Sequence, residues 1–202
     1  MSDTQTFTDE ALLDQILEHA ASEERIHDLG GWNMPKEDIL DAISKISWHE
    51  SKHDPTAVQV LDDGSEGKAS GLFQYETGEN EGAHTATNRA IEYFELDNPD
   101  LDTPQWLIDE HLDKDYDISD LNEVQQSIIM LIDKMKHPTA TMSDINETGV
   151  GPNWARDHWV GDEDADESLL KTRLNQFEES MKTYEDTLLD ILTAKKDVKP
   201  KP

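Results

Sequence analysis

Apolar residues return at intervals of three and four in several long stretches of this chain, and that period predicts a mainly helical protein. Residues 8–29 form the first such stretch, with Thr8 as a cap, Leu12, Leu13, Ile16, Leu17 and Ala20 on one face, and Gly30-Gly31 as the stop. Pro35 opens a second helix through Ile39, Leu40, Ile43, Ile46 and Trp48. It must stop near His53, because a residue before proline is pushed out of the helical region and Pro55 follows. The period returns at 80–94 through Ala83, Ala86, Ala90, Ile91 and Phe94, and a short helix begins near Pro104. Ser119 is expected to cap a longer helix carrying Leu121, Val124, Ile128, Leu131, Ile132 and Met135, which His137-Pro138 stops. Residues 139–153 read as a Thr- and Gly-rich loop, and "PNWARDHWVG" as one short helix. A last helix runs from Ser168 to Lys195.

Between Thr56 and Glu76 the helical period fails. Two short apolar runs separated by Asp62-Asp63-Gly64 and Gly67 predict an irregular β-hairpin, either a lid or a solvated loop. The fold class is therefore mainly α with a small hairpin. Four segments follow: an N-terminal helix and connector over 1–34, a central domain over 35–160, a C-terminal helix over 161–195, and a basic tail over 196–202 expected to be disordered.

Composition narrows the partners. The 202 residues include 46 acids against 17 Lys and Arg, a net charge of -29, which repels phosphates and anionic lipid headgroups. Nucleic acid is therefore not an expected partner, and no run is long and apolar enough for membrane insertion. Such a surface suits solubility in a salty medium or docking onto a basic partner. The acid-rich "NPDLDTP" and "DEDADE" lack the Gly and Glu spacing of a calcium loop and read as solvated faces. With no Cys, there is neither a disulfide frame nor a thiolate metal site. The first residues lack a basic n-region and an apolar h-region, so no signal peptide is expected.

One short stretch concentrates candidate chemistry. His49-Glu50-Ser51-Lys52-His53 matches H-E-x-x-H, in which two His one helical turn apart hold zinc and the Glu activates a water. The longer form of that motif needs Gly and a third His downstream, where this chain has Thr56 and Gln59. Glu76 or Glu79 could complete the shorter form, so zinc hydrolysis is retained as a third reading. Pro55 ends the helix at the second His and Lys52 sets a cation beside the pair. His49 and His53 are accordingly expected to be a packed and a solvated imidazole, with no metal and no cofactor.

Read with its sequel, the same stretch points elsewhere. Glu50-Ser51, Pro55 and Ala57-Val58, followed by Ala69-Ser70-Gly71-Leu72-Phe73-Gln74, resemble the soluble lytic transglycosylase family and its goose-type lysozyme relatives over residues 39–76. "GLFQYE", the Ala/Thr-rich helix with Arg89, and "ARDHWVG" with Arg173 and Phe177 are also similar to lysozyme-like domains of bacteriophage virion proteins. The family's late Ala-Tyr-Asn segment has no counterpart here; Asn153-Trp154 and His158-Trp159 occupy the comparable region.

The resemblance implies a lysozyme-like fold and a muramidase that cuts the MurNAc-GlcNAc β-1,4 bond of peptidoglycan glycan strands. Glu50 is then the single acid/base, kept protonated by burial beside Trp48 and against Leu72-Phe73. A sugar hydroxyl attacks internally and leaves a 1,6-anhydro end, unless Glu76 serves as a second carboxylate and water attacks instead. Ser51, Gly71, Leu72, Gln74, Tyr75, His158 and Trp159 are the expected substrate-binding residues, Gly71 by admitting close backbone approach. Carriage in a phage virion, among other virion proteins, would bring the enzyme to the wall without a signal peptide. The alternative is a structural virion protein that keeps the fold with little or no catalysis.

Overall fold

Thr8 does cap the first helix: its Oγ1 accepts from the Ala11 amide at 3.3 Å and opens α1 (Asp9–Ala21) in this computed structural model, which describes residues 8–22, 25–26, 29–30, 32, 34–112, 116–136, 155 and 167–196. The expected 139–153 loop and the tail from 197 lie outside those residues. So does the expected 152–161 helix, apart from Ala155, which is helical and buried.

α1 is shorter than the pattern predicts. Ser22 leaves the helical region and its hydroxyl donates to His19 O at 2.8 Å, while Trp32 N donates to Ala20 O at 2.7 Å. The last carbonyls are thus satisfied from outside the helix, and the chain beyond pairs β1 (Arg25–Ile26) with β2 (Leu29–Gly30) as a tiny antiparallel ribbon.

α2 (Lys36–Ser51) follows Pro35 and ends one residue after Glu50. Lys52 and His53 both take left-handed backbone angles, with φ of 59° and 65°, and Asp54 closes an Asx turn by accepting from Thr56 N and Oγ1. The expected hairpin is β3 (Val58–Val60) against β4 (Glu66–Ser70), extended by β5 (Tyr75–Glu76) into a three-stranded antiparallel sheet. Its tip is well formed: Asp63 accepts from Ser65 N and Oγ, and Gly64 supplies φ of 82°.

α3 (Gly82–Glu92) runs into a π-helical turn over Tyr93–Asp97, and α4 (Gln105–Leu112) follows. Ser119 does not cap the next helix. It lies in a 3-10 turn, Ile118–Asp120, and Asn122 is the cap of α5 (Glu123–Lys136), its Oδ1 accepting from Val124 N and Gln125 N. Asn is among the strongest N-caps, and the extended Leu121 between the two sites breaks the run.

α5 is buried nearly all round, from Ile128 to Met135, and packs on α1 and α3. The core joins Leu12 and Ile16 of α1, Ile39 and Ile46 of α2, Phe73, Phe94, and Leu170 and Phe177 of α6 (Glu167–Lys196). α6 lies along α2: Trp48 Nε1 donates to Ser180 O at 3.2 Å, and Ser44 Oγ is 2.9 Å from Tyr184 OH. The architecture is the expected one, a mainly helical protein with a small β-hairpin. Among the described residues no helix is long and apolar enough to cross a membrane.

Candidate functional site

The end of α2, the small sheet, α3, α5 and α6 surround a cleft of about 1100 Å³. Glu50 lines it, half-buried, together with Ser51, Phe73, Gln74, Tyr75 and Glu76. The helix stop therefore does what the sequence implied: it delivers the last-turn acid to the face where the hairpin returns.

Ser51 fixes that meeting. Its hydroxyl lies 3.0 Å from both Ser47 O and Leu72 O, so the residue after Glu50 ties the helix end to the 71–74 turn. Gln74, at φ of 51°, donates through Nε2 to Gly71 O at 2.9 Å and Ala57 O at 3.2 Å. Both amide protons are thereby engaged within the protein, and the side-chain oxygen is the remaining polar atom of this cleft-lining residue. Glu76 is exposed on β5 at the rim.

Gly71 and Leu72 are buried beneath the cleft and do not line it. Gly71 is needed for a reason other than ligand approach. Its φ is 77°, and a Cβ there would stand 2.6 Å from Gln126 Oε1. Leu72 belongs to the core. Trp48 turns away toward α6, its ring 5.6 Å from that of Tyr184, and does not line the cleft, whereas Phe73 does. Tyr75 lines the cleft with its ring but is buried, and its hydroxyl donates to Asp133 Oδ2 at 3.0 Å. His158 and Trp159 lie outside the described residues.

Two residues of α5 that the sequence reading passed over hold this site. Gln126 is fully buried; its Oε1 accepts from Leu72 N at 2.6 Å and its Nε2 donates to Pro55 O and Leu121 O at 2.9 and 2.7 Å. One side chain thus joins the segment after Glu50, the 71–74 turn and the start of α5. Two helical turns later, on the same face, Asp133 accepts from Tyr75 OH, from Arg89 Nη1 at 2.5 Å and from Lys134 Nζ at 3.2 Å. Burial opposes its charge, but the Lys134 and Arg89 cations outweigh that and hold the carboxyl below its usual range. Burial and the Asp133 charge push the Tyr75 hydroxyl well up.

The signal for both was available. Gln126 and Asp133 are spaced by seven on a helix that is otherwise apolar on that side, and polar groups on a buried face must have partners.

The two motif histidines go separate ways. His53 lies beyond the helix end, its Nδ1 2.7 Å from Ser47 Oγ and its ring beside Trp48 and Tyr184. His49 lines the cleft and packs on Phe177, ring centroids 5.2 Å apart. The one-turn relationship on a continuous helix that a zinc pair requires is therefore missing, and among the described residues no three His, Asp or Glu are grouped to hold a metal. Burial, with Lys52 and Arg173 adding to it, pushes the His49 imidazole down to about 4; burial also lowers His53.

Chemically, the arrangement sets one carboxyl group at a helix end in a half-open groove, an amide carbonyl nearby, and a rigid floor of paired charges. No protein-family model matches the chain, and neither a curated protein nor a solved structure matches it.

Proposed function

We propose that this protein is a muramidase of the lytic transglycosylase type, with Glu50 as its acid/base. The observation that supports it best is that Glu50, at the terminus of α2, shares a cleft with Gln74 and Glu76 while Ser51 ties the helix to the turn between them. Glycosidic cleavage needs a carboxylic acid to protonate the leaving oxygen as the sugar approaches an oxocarbenium ion. Glu50 stands half-buried at the end of α2 in the cleft, where it is the group proposed to deliver that proton. After bond cleavage the Glu50 carboxylate takes the proton of the attacking hydroxyl, which is the sugar's own in the transglycosylase route or water's in hydrolysis. Gln74 offers its carbonyl to an N-acetyl N–H. Carriage by a phage virion to the host wall belongs to the same reading, on the residue resemblances of "GLFQYE" (71–76), the helix with Arg89, and "ARDHWVG" with Arg173 and Phe177.

Purified sacculi digested with the protein, and their soluble products weighed by mass spectrometry, test the proposal. Muropeptides with 1,6-anhydro ends are expected, and reducing ends in their place would assign the water route with Glu76 assisting. Absence of any glycan cleavage would remove the muramidase reading.

The net charge of -29 favours a second reading, a structural virion component with this fold and little catalysis, because anionic wall polymers repel such a surface. Cleavage and sacculus binding at ordinary salt would count against it.

A further inference from the structure

The residues on both sides of Glu50 contact α6. Before it, Trp48 Nε1 donates to Ser180 O at 3.2 Å, and the His49 ring stands 5.2 Å from that of Phe177. After it, Lys52 Nζ donates to Ser180 Oγ at 2.9 Å, and the His53 ring lies 6.0 Å from that of Tyr184. Phe177, Ser180 and Tyr184 are spaced three and four apart, so they form one stripe of α6. The turn that carries Glu50 is thus held from two directions, by Ser51 on the 71–74 turn and by this stripe.

Lys52 closes the arrangement. Its φ of 59° ends α2, and its Nζ turns back to donate to Trp48 O at 3.0 Å and to stand 5.1 Å from the centre of the Trp48 ring. A left-handed Lys is strained at a place where Gly would fit freely. What Lys supplies there, and Gly cannot, is the ammonium that links the carbonyl of Trp48 to the hydroxyl of Ser180. Both of these contacts are solvent-exposed, so they add little to global stability, and their consequence is where the helix end stands. Ser180 is 128 positions from Lys52 and 132 from Trp48, far outside the 39–76 stretch.

We infer that Ser180 of α6 is a positioning residue for Glu50, acting through Lys52 and Trp48. This rests on the muramidase reading and adds a part to it: the C-terminal helix holds the acid at its place in the cleft.

Two substitutions open the link while suiting their own backbone. Lys52→Gly relieves the left-handed angle, and Ser180→Ala raises helix propensity within α6. Lys52→Arg keeps a cationic donor on a long stem. Steady-state cleavage of purified glycan strands, thermal melting, and amide hydrogen exchange at Glu50 and Ser51 are measured on wild type and all three variants. Lys52→Gly and Ser180→Ala are expected to lose about tenfold in kcat, with KM unchanged and melting temperature no lower than wild type, since slight misplacement of a reacting group is enough to slow the reaction. Their Glu50 and Ser51 amides are expected to exchange about tenfold faster, while Lys52→Arg stays close to wild type in every measure. A kcat loss matched by a fall in melting temperature would overturn the positioning role and leave Glu50 as the acid. So would a change confined to KM, unchanged exchange in both variants, or a Lys52→Arg as slow as Lys52→Gly. If wild type cleaves nothing, the muramidase reading falls, and the exchange rates alone decide whether Ser180 holds Glu50 in place.

Discussion

The Ser51 hydroxyl lies 3.0 Å from the carbonyl oxygen of Leu72, so the residue that follows Glu50 is fastened to the turn that faces it across the cleft. That contact is local, yet it sets where the acid stands relative to Gln74 and Glu76. Ser51→Ala is expected to cost about 1 kcal/mol of stability and roughly tenfold in turnover, since small misplacement of a catalytic group costs rate disproportionately. Thermal melting and initial rates on the same preparation check it. Equal loss in both measures, or none in rate, would deny Ser51 a positioning role.

Gln126 carries the next layer. Replacement by Leu fills similar space but leaves Leu72 N and the carbonyls of Pro55 and Leu121 without their partner. Each buried polar group left unsatisfied costs about 1–3 kcal/mol, so Gln126→Leu is expected to lower stability by at least about 3 kcal/mol in denaturant unfolding. Gly71→Ala should act in the same direction, because its Cβ meets Gln126 Oε1 at 2.6 Å and its φ is 77°.

The Tyr75–Asp133–Arg89–Lys134 cluster makes a prediction about acid. The Asp133 carboxyl is held below its unfolded value, so its contribution is complete above about pH 4 and is lost as pH falls through the lower folded value. Asp133→Asn removes the charge that two cations share and is expected to destabilise by about 3–5 kcal/mol, the range for breaking a buried pair. It should also flatten the stability profile below pH 4, which chemical denaturation at several pH values would reveal.

His49 sets a second window. Its folded value near 4 lies below the ordinary 6.5, so between those values the unfolded chain binds the extra proton. Stability is then full above pH 6.5 and declines as pH falls toward 4. Burial lowers His53 and His19 as well, which adds to the same slope. His49→Gln is expected to reduce that slope, whatever it does to stability at pH 7. An unchanged slope would contradict a neutral, packed His49.

Much of this was legible before the fold was known. The 3.6 period located α2, α3, α5 and α6, and Pro55 fixed where α2 must release Glu50. The hairpin was legible because Asp63 and Gly64 are turn residues for a physical reason. Other parts were obscured by long-range partners. The run after Ala21 is locally good helix sequence, and Ser22 and the distant Trp32 amide end it. Gln126 and Asp133 look like ordinary polar positions until the strands that need them arrive from fifty residues away. Gly71 was expected to admit a ligand, and its conformational freedom is used instead against Gln126. Nothing local in the sequence distinguishes those two uses of a glycine.

The charge outside the cleft predicts a salt response. With -29 on the chain, self-repulsion favours the expanded state, and it is screened as the Debye length falls from about 10 Å at 0.1 M to about 3 Å at 1 M. The melting midpoint is expected to rise as NaCl increases over that range. A flat or falling midpoint would mean that the acids are compensated in the folded state.

The most direct test of the central claim is the rate of glycosidic cleavage by Glu50→Gln, measured on purified glycan strands beside wild type with melting curves for both. Glutamine keeps the shape and cannot supply the proton, so the rate is expected to fall by about 10² to 10⁴ with the melting temperature nearly unchanged. A variant that folds normally and cleaves within tenfold of wild type would contradict the assignment of Glu50 as the acid.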